Sequence, residues 1–113
     1  ADENIYVLGD ASIAKSMPKS GFSANSQAKV ASNHIRGSLT GSKVFTPRFA
    51  NTCWSLVATN DGIKVGASYK ATAEKIDKTS GFVSKTGEDN SLRKATYDES
   101  LGWYAGITSD MFS

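Results

Sequence analysis

One stretch of alternating residues limits what this chain can become. Ile63, Val65, Ala67 and Tyr69 alternate with Lys64, Gly66, Ser68 and Lys70. A period of two marks a strand with one dry face and one wet face. Residues 52–58 read as a second strand, and Thr59-Asn60-Asp61-Gly62 lies between the two. Asp-Gly between such runs signals a hairpin. A hairpin must bury its dry face against another layer. The chain has 113 residues, of which 39% are apolar, which allows a modest core. Small chains bury a smaller share of their surface and are marginally stable without help.

The covering layers are predicted on both sides of the hairpin. Ala28, Ala31, Ile35 and Leu39 fall on one helical stripe, which predicts a helix over 24–39. Ser23 is its expected N-cap and Gly41 its stop. Ala24, Ala28 and Ala31 allow close approach of a neighbouring layer. A third strand is expected within 71–83, and a polar loop over 85–91 around Gly87. A final helix is expected between 91 and 112, weakened by Gly102 and Gly106. Residues 4–8 hold Ile5, Tyr6, Val7 and Leu8 in a row and stop at Gly9-Asp10. A continuous apolar run suits a short strand covered on both faces, as in parallel sheets. The residues before it supply no sheet, so the chain reads as a piece of a larger protein. Residues 11–22 are expected as loop, punctuated by Pro18-Lys19-Ser20-Gly21.

Charge narrows the partners. The formal net charge is +2, and the basic residues are scattered from Lys15 to Lys94, with only Arg93-Lys94 adjacent. Nucleic-acid binders concentrate such charge on one face, so nucleic acid is not an expected partner. No apolar run is long enough for a membrane span. Residues 1–4 are acidic and open no signal peptide, although a mature or excised chain looks the same. His34 has no second histidine to make a metal site, and no metal is expected.

Four places carry chemistry. Gly9-Asp10 ends an apolar run ahead of a loop and a helix. Glycine admits a ligand close to the backbone, and an aspartate there can accept hydrogen bonds from a ribityl hydroxyl. The helix start can stabilise negative charge on a reduced flavin ring. Taken alone, the same pair is an ordinary strand-to-loop turn. Lys19, just before the helix, can reach a flavin carbonyl or can be a solvated loop lysine. Cys53, in Asn51-Thr52-Cys53-Trp54-Ser55, is the one thiol of the chain. It is either a redox nucleophile or a small buried hydrophobe. Trp103-Tyr104 can cover a planar cofactor or anchor a core or an interface.

The order of these strings is more telling than each alone. Gly9-Asp10-Ala11-Ser12 comes first, then the segment from Met17 to Gln27, then Asn51-Thr52-Cys53-Trp54-Ser55-Leu56-Val57. With the ending from Gly102 to Phe112, they resemble the C-terminal part of the flavoprotein subunit of flavocytochrome c sulfide dehydrogenase. The resemblance implies an α+β fold: a C-terminal fragment of a glutathione-reductase-like two-dinucleotide-binding flavoprotein, with a β-hairpin sheet and flanking helices. Residues 1–42 would end the FAD-binding domain as strand, loop and helix. Residues 43–113 would form the C-terminal flavin-covering and interface domain.

It further implies FAD as cofactor, sulfide as substrate, and a c-type cytochrome subunit and the remainder of the flavoprotein chain as partners, in the periplasm. Cys53 resembles the second cysteine of a redox-active disulfide. Gly9 and Asp10 resemble the flavin-holding turn, Lys19, Ser20 and Gly21 the segment bordering the ring, and Trp103 an aromatic near it. The sequence departs from the family in lacking a Gly-x-Gly-x-x-Gly opening and a second cysteine. The chain alone is therefore expected to bind FAD weakly or not at all and to be inactive in isolation. Two alternatives stand beside this reading: a segment of a sulfide:quinone-type flavin-disulfide reductase, and a non-catalytic module that docks a cytochrome.

Overall fold

A computed structural model describes residues 2–113. A 3-10 turn, Gly9–Ala11, precedes helix α1 (Gly21–Thr40). Strands β1 (Arg48–Ala58), β2 (Asp61–Ala71) and β3 (Ile76–Val83) follow, then helix α2 (Asn90–Phe112). The strands form one antiparallel sheet in the order β1-β2-β3. This small α+β arrangement of hairpin, third strand and two helices fits the expected class. The chain reverses at Thr59-Asn60, one step before the Asp-Gly pair, with Asn60 at φ +61°. Asparagine tolerates that left-handed conformation, so Asp61 and Gly62 are released to β2.

The chain divides into two compact units. The first holds the residues up to Thr52 and Gly66–Gly81. Its core is Met17, Ala67 and Tyr69, with Ala14, Phe49 and Ile76 packed against them. The alternation therefore works at Ala67 and Tyr69, while Ser68 and Lys70 stay exposed.

Helix α1 starts earlier than the apolar pattern predicts, because Ser20 and not Ser23 is its N-cap. Ser20 Oγ accepts the Ser23 N–H at 3.0 Å. Gly41, at φ +69°, ends the helix as expected, its N–H donating to the Gly37 carbonyl at 2.9 Å. The packed face of α1 is not the apolar stripe. Ile35 and Leu39 are exposed, Leu39 at 80%. Instead, small and polar residues meet the chain that leads into β1, an edge strand whose outward backbone groups need partners. Asn33 Oδ1 accepts the Phe45 N–H at 3.1 Å, and Ser26 Oγ accepts the Ala50 N–H at 3.0 Å. At buried Gly37 a Cβ would come within 2.2 Å of Val44 Cγ2, so only glycine lets Val44 lie there.

One expectation fails in this unit. Residues 4–8 form no strand. Ile5 and Val7 are 67% and 62% exposed, and among the described residues no strand lies beside them to complete a ladder. An apolar row has strand propensity, but a strand exists only when a neighbour takes its hydrogen bonds.

The second unit holds Cys53–Val65 and Phe82–Ser113. Here α2 lies on the hairpin. A Cβ on Gly62 would sit 2.8 Å from Tyr97 N, so helix and strand backbones touch at the glycine. Thr96 is buried beside that contact. Ion pairs Lys64–Glu99 and Arg93–Asp61 flank it. The hydrogen bond that Arg93 Nε–H donates to the Asp61 carboxylate raises the Arg93 pKa above its ordinary value, against a smaller opposing effect of burial.

Candidate functional site

In the first unit, residues 9–24 surround a small crevice lined by Gly9, Asp10, Lys19 and Ser20 among others. Gly9 adopts φ +68° and donates its N–H to Gln27 Oε1 at 2.7 Å, which ties the turn to α1. Ser12 closes the turn by donating both its N–H and its hydroxyl to the Gly9 carbonyl, at 3.0 and 2.8 Å. Lys19 Nζ donates to the Asp10 carbonyl at 2.7 Å. The Asp10 carboxylate is exposed and has no hydrogen-bond partner among the described residues. Gly21 opens α1. The next donors are taken, Ser23 N–H by Ser20 Oγ and Ala24 N–H by the Ser20 carbonyl. The Gly21 N–H stays at the positive end of the helix dipole.

Behind this helix start lies a buried polar knot. Asn51, 4% exposed on β1, accepts two hydroxyls on Oδ1: Ser20 Oγ at 2.5 Å and Ser23 Oγ at 3.0 Å. A separate apolar groove of about 420 Å³ in the same unit is lined by Tyr6, Leu8, Val30, Phe45, Phe49 and Ile76 among others. At its rim the Tyr6 hydroxyl and His34 Nδ1 share a hydrogen bond of 2.7 Å.

In the second unit, Cys53 is exposed on β1. Neighbouring side chains of a strand point to opposite faces. Trp54 turns to α2, its ring centroid 5.6 Å from that of Trp103 at a 31° tilt. Cys53 is thus on the other face, with Ser55 and Val57, all exposed. The bulky aromatic next to the thiol in sequence does not cover it.

The expected residues therefore fall into two groups. Gly9, Asp10, Lys19 and Ser20 share one crevice, and Gly21 starts the helix beside it. Cys53 and Trp103 belong to the other unit, where Trp103 is engaged with Trp54. Two contributors escaped the motif reading. Gln27 holds Gly9, and Asn51 holds the helix start. The available signal was the polar spacing Ser23, Ser26 and Asn33 on α1, followed by a strand with an asparagine near its start.

The family model described as flavocytochrome c sulphide dehydrogenase, flavin-binding, matches residues 45–112. The chain belongs to this family. The match runs from the approach to β1 through the end of α2, and so includes Asn51, Cys53, Trp54 and Trp103. The matched domain is flavin-binding and its cofactor is FAD. The family is one of oxidoreductases acting on sulfide, and membership implies association with a cytochrome subunit. Among the described residues, no helix is long and apolar enough to cross a membrane.

Proposed function

We propose that the chain is the C-terminal part of a sulfide dehydrogenase flavoprotein subunit of glutathione-reductase-like fold, working in the periplasm. In that reading Cys53 is one half of a redox-active disulfide. Hydrosulfide attacks one sulfur of the disulfide, a new S–S bond forms, and the other sulfur leaves as thiolate. Which cysteine is attacked depends on the leaving and attacking thiol pKa values. When bound, FAD would supply a two-electron acceptor able to pass electrons singly to a c-type haem. The observation that carries the reading is the family match across Cys53, a thiol presented on the face of β1 away from α2.

The residues of the crevice fit a flavin by the chemistry of their donors. Lys19 uses one of its three donors on the Asp10 carbonyl and keeps two. Gly21 N–H and the helix dipole favour negative charge, and the exposed Asp10 carboxylate can accept hydrogen bonds from a polyhydroxyl chain. Gly9, Asp10, Lys19, Ser20 and Gly21 would hold the cofactor. The exposed row from Ile5 to Leu8 supports the remainder of the flavoprotein chain as a partner that pairs with it.

The test is Cys53→Ser in the full subunit. Rapid sulfide-dependent flavin reduction should be abolished while FAD stays bound; unchanged reduction refutes the assignment of Cys53. A second reading, docking of the cytochrome subunit without catalysis, is favoured by the exposed Leu101, Tyr104, Met111 and Phe112 on α2.

A further inference from the structure

We infer that Asn51 is the positioning residue of the flavin-bordering segment, an inference that rests on the proposed placement of the flavin at residues 9–21. Asn51 is buried near the start of β1, where an amide is costly unless its polar atoms are satisfied. Its Oδ1 takes hydroxyl bonds from two residues three apart in sequence, the N-cap and first turn of α1. Ser20 has one hydroxyl proton, and it goes to Asn51 at 2.5 Å. The lone pairs of the same oxygen are thereby left to receive the Ser23 N–H at 3.0 Å. The chain Ser23 N–H to Ser20 Oγ–H to Asn51 Oδ1 is directional, and each bond polarises the next. Asn51 thus sets the orientation of the cap as well as filling space.

Lys19 and Gly21 are covalently attached on either side of that cap. Lys19 is held a second time, through the Asp10 carbonyl. If the acceptor on β1 is removed, Ser20 keeps only the Ser23 N–H bond, its hydroxyl loses its fixed direction, and the ammonium and the helix start are held less firmly. A leucine at position 51 has a similar volume and offers no acceptor. Asn51 touches no substrate atom in this account. It acts through Ser20 on Lys19, whose positive charge favours the anionic reduced flavin.

The experiment is a double-mutant cycle of Asn51→Leu with Lys19→Met in the FAD-loaded full flavoprotein. The readout is the flavin midpoint potential from redox titration, with thermal unfolding measured in parallel. Lys19→Met alone should lower the reduction equilibrium constant about tenfold, about 30 mV for a two-electron couple. Asn51→Leu should shift it the same way, and Lys19→Met should then add less than half of its original effect in log K. A residue that serves only packing would lower the unfolding temperature and leave the potential in place, and that result overturns the inference. Full additivity of the two shifts overturns it as well. If Lys19→Met alone leaves the potential unchanged, the placement of the flavin at this crevice fails first, and this role with it. Should Asn51→Leu not fold, Ser20→Ala goes through the same cycle with the same expected coupling and the same refuting results.

Discussion

Replacing Gly62 with alanine is the sharpest probe of how α2 is held to the hairpin. Gly62 has no positive φ, so its backbone accepts an alanine without strain. Space is the obstacle. The added Cβ would lie 2.8 Å from Tyr97 N, 2.9 Å from Tyr97 Cα and 3.2 Å from Thr96 C. These are backbone atoms of a helix, so no side chain can rotate away, and ordinary contact begins only near 3.4 Å. Helix α2 would have to retreat by about half an ångström, which pulls on buried Thr96 and on the Trp54–Trp103 pair. Overpacking of this kind costs about 1–3 kcal/mol. For a domain of this size that is a fall of about 4 °C or more in Tm. Gly106→Ala is the internal control. It lies in the same helix, meets nothing within 4 Å, and should stabilise by about 0.5–1 kcal/mol through helix propensity. Thermal unfolding followed by circular dichroism, with tryptophan fluorescence to report on Trp54 and Trp103, measures both. Opposite signs are expected. A Gly62→Ala protein as stable as the parent would refute the close backbone contact.

Two further outcomes test other features of the fold. Gly41→Ala places a side chain at φ +69° with no neighbour within 4 Å, so the cost is conformational, about 1 kcal/mol, and should appear in a denaturation curve without a change in slope. Because Cys53 is exposed, one equivalent of a disulfide reagent such as Ellman's should react with the native chain. Denaturant should accelerate that reaction by no more than a few-fold, whereas a buried thiol would show a far larger increase.

The placement of these features divides along a physical line. The hairpin was legible because Ala67, Tyr69, Ser68 and Lys70 report directly on which face is wet, although exposed Val65 and buried Gly66 break the alternation, and because Asp61-Gly62 marks a reversal that the structure makes one step earlier, at Thr59-Asn60. The residues proposed for the flavin site, Gly9, Asp10 and Lys19, and the thiol Cys53 could be named from the string, since residue types and order survive in it. The helix start was misplaced by three residues because Ser20 and Ser23 are both good caps, and only the Asn51 acceptor on a distant strand distinguishes them. The apolar stripe of α1 misled for a related reason. Its packed partners are the segment leading into β1 and the start of that edge strand, which ask for Ser26, Asn33 and Gly37 and not for large hydrophobic side chains.

What the sequence determined by itself was the class of elements, the turn, and the family to which its order of motifs points. Those follow from local periodicity and from residue chemistry, which need no partner. Only the tertiary structure decided that residues 4–8 join no strand among the described residues and that Trp54 turns from Cys53 toward Trp103. It alone decided that Asn51 is the acceptor behind the helix start. Each of these depends on which backbone or side chain lies opposite across space. A hydrogen bond or a packing contact has two ends, and the sequence near one end does not name the other.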